Sequence, residues 1–145
     1  MNGSDLFYTC SLIEFIGRKT KNTRAAVVSY LGKDNISRIY RYADVFHSDI
    51  IEKVADEFIE KCHIATGEFD NVGKCKYTVP DYWDIGEVFE RLIEDTYDGQ
   101  SDLIDFIIEI YNSWLTEAIS NFNSDLYYQP RDYIRECYKE GRICA

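Results

Sequence analysis

The run Ile51-Glu52-Lys53-Val54-Ala55-Asp56-Glu57-Phe58-Ile59-Glu60-Lys61-Cys62 decides the fold class. Ile51, Val54, Ala55, Phe58, Ile59 and Cys62 recur at steps of three and four, so an α-helix gathers them into one apolar stripe. Glu52, Lys53, Asp56, Glu57, Glu60 and Lys61 then fill the other face. Asp49 followed by Glu52 has the spacing of a capping box, with Ser48 as a rival cap.

The same period extends in both directions. Upstream, Leu6, Phe7, Cys10, Ile13 and Ile16 predict a helix over Asp5 to Ile16, with Gly17 placed to end it. A short helix follows over Thr23 to Leu31, stopped by Gly32, and Asp34 or Asn35 can cap a third that carries Ile36, Ile39, Tyr40, Ala43 and Phe46. Downstream, Ile64 to Pro80 breaks the pattern with Gly67, Gly73 and an alternating run, Cys75 to Val79, that can be extended. Helical spacing resumes from about Asp84 to Thr96. It then runs on through about 102–122, where Leu103, Ile104, Phe106, Ile107, Ile108, Ile110, Tyr111, Trp114, Leu115, Ala118, Ile119 and Phe122 cover more than half the circumference. A helix apolar on so many sides is contacted on many sides, which predicts that 102–122 is the central one. Pro130 suits the first position of a last helix, Arg131 to Glu140, with Gly141 beyond it. The expected fold is all-α, with six or seven helices around the apolar 102–122 segment. It forms one helical domain over 1–145, in which a basic three-helix unit at about 5–47 packs on an acidic remainder.

Composition agrees with a packed chain. The 145 residues are 46% apolar and 15% aromatic, with two prolines, a balance for burying a core rather than for disorder. No stretch approaches the roughly 18 charge-free apolar residues of a membrane span, and residues 1–5 lack a basic start to a leader. Five cysteines, Cys10, Cys62, Cys75, Cys137 and Cys144, are an odd number and point to free thiols in a reducing compartment. These features predict a soluble cytoplasmic protein.

Charge is distributed unevenly. Residues 18–41 hold seven cations, Arg18, Lys19, Lys21, Arg24, Lys33, Arg38 and Arg41, against the single acid Asp34, whereas 42–125 hold twenty acids against five cations. The net charge of −10 repels nucleic acid and anionic membrane at long range. Screening confines each patch to roughly 10 Å at about 0.1 M salt, so the basic segment can still act locally. Arg18, Lys19, Lys21, Arg24, Arg38 and Arg41 are accordingly the candidate binding residues.

Catalytic chemistry is thinly represented. His47, Cys62, His63 and Cys75 are soft ligands, but no pair has the two-residue spacing with which one turn presents both to zinc, and no metal site or cofactor is expected. Acid pairs such as Asp56 with Glu57 or Asp102 with Asp105 are explained by the outer faces of amphipathic helices. The eight glycines form no phosphate loop. An N-terminal helix, a polar turn and a second helix opening on Thr23 and Arg24 invite a helix-turn-helix reading. The 18–22 linker is long for one, and Ala25 to Val28 fill most of the second helix.

Two resemblances carry function. Arg41, five intervening residues and His47, in an all-helical chain, resemble the motif of the HEPN ribonucleases; Tyr42 departs from it, standing where a polar residue commonly follows the Arg. That resemblance implies acid–base RNA cleavage by the His and phosphate stabilisation by the Arg, with the residues of two protomers converging. The order Phe7-Tyr8-Thr9-Cys10, Ile13-Glu14, Val27-Val28, Leu31, Ile36, Ile39-Tyr40, His47 and Asp56-Glu57-Phe58-Ile59, over residues 6–64, resembles small uncharacterised helical proteins of Firmicutes bacteria found in toxin–antitoxin-like cassettes. It implies an accessory, antitoxin-like or regulatory role beside a toxin-like enzyme.

The expectation is thus a non-catalytic protein-interaction module with a protein partner, a homo-oligomer being compatible with it. The alternative is a metal-independent helical ribonuclease or nucleic-acid-binding protein that uses 18–41 and His47. Tyr127, Tyr128, Tyr133 and Tyr138 suit either an interface or closure of the core.

Overall fold

A computed structural model describes residues 1–144. Among them the chain forms eight α-helices and no strand: α1 (Gly3–Thr20), α2 (Arg24–Arg41), α3 (Ala43–Phe46), α4 (Ile51–Lys61), α5 (Tyr82–Thr96), α6 (Leu103–Tyr111), α7 (Trp114–Ser120) and α8 (Arg131–Glu140), with a 3-10 turn at Leu126–Tyr128. The all-α class expected from periodicity is the observed one. A contiguous buried cluster runs from Leu6 in α1 to Cys137 in α8.

The hub is α1, which corrects the central place expected for 102–122. It lies along α5 and also packs against α2, α3 and α4. Eleven of its eighteen residues are buried, including Thr9, Ser11 and Glu14. Asn2 starts it by accepting the Asp5 N–H at 3.1 Å, and it runs past Gly17 to Lys21, which caps it in the left-handed region at φ 56°. Gly17 is therefore not the stop that the sequence predicts. Its bare Cα makes room for Arg24, whose Nε would stand 2.7 Å from a Cβ placed there.

Close approach also sets the α1–α5 contact. A Cβ on Gly86 of α5 would meet the Ser11 Cα of α1 at 2.9 Å, a separation that side chains do not tolerate. α5 itself starts where Asp81 accepts the Trp83 N–H at 2.6 Å, two residues before the expected start.

The 102–122 segment is two helices. Asn112 donates to the Ile108 carbonyl at 2.9 Å, and Ser113 and Thr116 both donate to the Ile110 carbonyl at 2.7 Å. These short polar side chains satisfy the ending carbonyls in place of a continuing backbone, and Ser113 takes an extended conformation from which α7 starts. Conversely, α2 joins the first of the short helices expected there end to end at Gly32 with the second as far as Arg41, while the Ala43 and Phe46 expected in that second helix lie in the separate α3. The Gly32 φ of 75° and ψ of 165° still break the helix where the sequence places a stop.

α4 matches its sequence pattern, with Val54, Ala55 and Phe58 buried. The expected capping box does not form, because the Asp49 side chain accepts from Ile50 N at 3.2 Å and pairs with Lys53 at 3.1 Å. The 64–80 connection contains no β-strand among the described residues, and the expected run Cys75 to Val79 bends at Lys76 and Tyr77. The connection is pinned by Gly67 N to Thr20 O at 2.8 Å and Phe69 N to Lys21 O at 2.9 Å, and by Lys76 N to Asn123 Oδ1 at 2.7 Å.

Candidate functional site

Most of the basic segment faces its own chain. Arg24 is fully buried and forks onto Glu14, with Nε to Oε1 at 2.9 Å and Nη2 to Oε2 at 2.7 Å. Its remaining donors reach Asn22 O at 2.8 Å and Asn71 Oδ1 at 3.3 Å. Asn71 passes the chain of bonds on to Ser120 O at 3.0 Å. Phe69 lies beneath the guanidinium, 5.7 Å from ring centroid to Cζ. This arrangement corrects the placing of Arg24 among the binding residues and removes it as a contact for a helix-turn-helix, since Arg24 meets no solvent.

Arg18 gives its Nε to the same Glu14 Oε2 at 2.9 Å and lies over the Phe122 ring. Burial alone would push the Glu14 carboxyl up. The two guanidiniums, Arg24 foremost, outweigh it and hold the group below the usual carboxylate value. Lys19 bridges Glu52 at 3.1 Å and Asp56 at 2.7 Å on α4. Lys33 bridges Asp102 at 3.7 Å and Asp105 at 3.0 Å at the start of α6. Four of the seven cations are thus engaged by the chain's own acids: Arg18 and Arg24 by Glu14 within the N-terminal helices, and Lys19 and Lys33 by carboxylates of the acidic remainder.

Lys21, Arg38 and Arg41 are exposed and make no ion pair among the described residues. Arg38 and Arg41 are three apart on the last turn of α2 and so share a face. Immediately after them stand the most exposed apolar side chains of the N-terminal half, apart from Met1: Tyr42 at 48%, Val45 at 62% and Ile50 at 72%. The chain is held here by α3, one turn long, whose start at Tyr42 leaves the helical axis of α2 and turns Ala43 inward.

His47 closes the same corner. Its ring packs on Tyr8 and Trp83, with centroids 5.2 and 5.8 Å away. With Ser4, Asp5, Tyr8, Ala43, Asp44 and Ser48 it lines a shallow cavity of about 460 Å³. Burial, and then the Asp49 charge, push the Tyr8 phenol up to about 12. Arg41 is not among the residues lining that cavity, so one copy of the chain does not bring the Arg–His pair onto a common wall.

A second cleft, about 410 Å³, lies between α5 and α8, with Val88, Leu92, Tyr127, Tyr128 and Ile134 in its lining. Both of its arginines are engaged: Arg91 pairs with Glu87 at 3.2 Å, and Arg131 forks onto Asp95 at 2.7 and 2.9 Å. Of the four C-terminal tyrosines only Tyr128 is exposed, at 83%; the others are half-buried against the core. Cys62 accepts from Asn35 Nδ2 at 3.4 Å, and no group of three or more His, Cys, Asp or Glu side chains among the described residues is placed to hold a metal ion. No described helix is long and apolar enough to cross a membrane. Sequence reasoning missed Glu14 and Asn71, because a lone acid in an apolar helix and an Asn in a loop carry no signal of a shared partner.

No protein-family model, curated protein or solved structure matches this chain.

Proposed function

We propose that the protein is a non-catalytic interaction module that docks an acidic protein partner on the corner formed by Arg38, Arg41, Tyr42, Val45 and Ile50. The observation that carries this reading is the contrast within the basic segment. Its other arginines and two of its lysines are engaged by the chain itself, whereas Arg38 and Arg41 make no ion pair among the described residues and stand beside exposed apolar side chains. Arginine and tyrosine around aliphatic anchors are the residue types that concentrate binding energy, and guanidiniums left unpaired favour carboxylates on the partner. In this reading the partner is the toxin-like enzyme of the cassette resemblance, and the chain is its antitoxin-like or regulatory companion.

Magnitude argues against nucleic acid as the occupant. Three unpaired cations give a salt slope of only about 0.7 per phosphate met on a single strand, against the long-range repulsion of a −10 body.

The test is co-purification from the native host with the tagged chain, its Arg38→Ala/Arg41→Ala double variant and an Ile50→Ser variant, all checked for an unchanged melting temperature. A stoichiometric acidic partner retained by the parent chain and lost from both variants is the expected result. Retention unaffected by either variant rejects the surface. RNA cleavage abolished by His47→Ala in a folded chain rejects the non-catalytic reading in favour of the ribonuclease one.

A further inference from the structure

The last helix ends in a turn that brings two thiols together. Past Glu140 the chain enters the left-handed region at Gly141 (φ 74°, ψ 17°), with Gly141 N at 2.9 Å and Arg142 N at 3.3 Å from the Cys137 carbonyl. The reversal lays 142–144 back along α8. The Cys144 N–H donates to the Cys137 Sγ at 3.4 Å, and the Tyr133 hydroxyl holds the Cys144 carbonyl at 2.7 Å. The Cys144 Cα, one bond from that nitrogen, lies within about 5 Å of the Cys137 sulfur. Rotation of the Cys144 side chain with a slight tightening of the turn therefore brings sulfur to sulfur. The remaining cysteines differ: Cys10 is enclosed in the core, Cys62 meets an amide, and Cys75 meets carbonyl oxygens.

We propose that Cys137 and Cys144 are a modification site, a thiol pair that hydrogen peroxide converts to an intramolecular disulfide. Cys144, half-buried, is the sulfur that peroxide reaches, whereas Cys137 is fully buried and resolves. The Cys144 thiol loses its proton and its sulfur attacks the peroxide. The S–O bond forms as the O–O bond breaks, and the departing hydroxide takes up that proton as water. Cys137 sulfur then attacks the sulfenic sulfur. The S–S bond forms, the S–O bond breaks, and the second oxygen leaves as water with the Cys137 proton. Two thiols are oxidised, and one peroxide is reduced to two waters. Burial, the Cys137 thiol and the Glu140 carboxylate, whose Oε2 accepts from Cys144 Sγ at 3.7 Å, push the Cys144 thiol up to about 11. The first step is therefore slow at neutral pH and accelerates roughly tenfold per pH unit in mildly alkaline solution.

The full chain treated with hydrogen peroxide tests this by free-thiol titration, intact mass and non-reducing peptide mapping. Accessible and buried thiols together should fall from five to three, with the loss of two hydrogens and one Cys137–Cys144 cross-linked peptide that a dithiol reverses. Cys144→Ser, which alters only the half-buried partner, should leave Cys137 reduced under the same treatment. Stable oxygen addition at Cys144 with Cys137 still free overturns the pairing. So does a cross-link to any other cysteine, or between two chains.

Discussion

Arg24 shows how much a single side chain can decide. Its guanidinium meets both oxygens of Glu14 and two further acceptors with no exposed surface, so the two charges compensate each other inside the core. Removing Arg24 takes two hydrogen bonds from the buried Glu14 and leaves it with Arg18 alone, a loss at the low end of about 3–5 kcal/mol. Arg24→Ala should cost that much in urea unfolding, and Arg24→Lys should fail to restore it, because an ammonium cannot fork onto two oxygens. Lys33→Ala, from the same basic segment but at a solvated ion pair, should barely move the unfolding midpoint. Equal losses for Arg24 and Lys33 would contradict this division. In the sequence the seven cations look alike. What separates Arg24 from Arg41 is the acid opposite it, ten residues away and a helix apart, and no local pattern encodes that.

Between helices, small residues set the distances. α1 and α5 meet where Gly86 lies on Ser11. Gly86→Ala has no void to fill, so it should force the helices apart and lower stability by about 1–3 kcal/mol, read from the thermal midpoint. A neutral or stabilising result would mean that the contact yields. Helical periodicity made α4 and α8 legible almost to the residue, since each has one apolar face and one wet one. It misjudged α1 and 102–122 for different reasons: in 102–122 apolar side chains run round the helix, but only the face of α6 with Ile104, Ile107, Ile110 and Tyr111 is buried. In α1, burial on most sides removes the alternation that marks a helix's orientation, and it takes in polar residues: Thr9, which bonds back to the Asp5 carbonyl, Ser11, which abuts Gly86, and Glu14, which two arginines hold. The break at Asn112 and Ser113 hangs on side chains that cap carbonyls, a local competition that the apolar count does not register.

For the molecule as a whole, charge is both scaffold and liability. Glu14 is held below its ordinary value of 4.5, so its contribution is present above that pH and is lost as pH falls through the lower folded value. Glu90 moves oppositely. Burial, and then the adjoining Glu94, raise it to about 7, so the folded state holds a proton that the unfolded chain has released, and stability falls as pH rises from about 4.5 to 7. The melting temperature should therefore peak on the acid side of neutrality, near pH 4.5, where the Glu14 gain is complete and the Glu90 loss begins, and Glu90→Gln should flatten its decline toward pH 7. A maximum above pH 7 would refute this account. By itself, the sequence determined that the chain is all-helical and where its amphipathic helices run, because apolar spacing is a property of neighbours along the chain. Only the tertiary structure decided that α1 is the hub, that most of the basic segment is absorbed by the protein's own acids, and that Arg38 and Arg41 are left facing outward. Whether a charge is spent or available depends on which remote carboxylate comes within a few ångströms of it, and folding alone sets that distance.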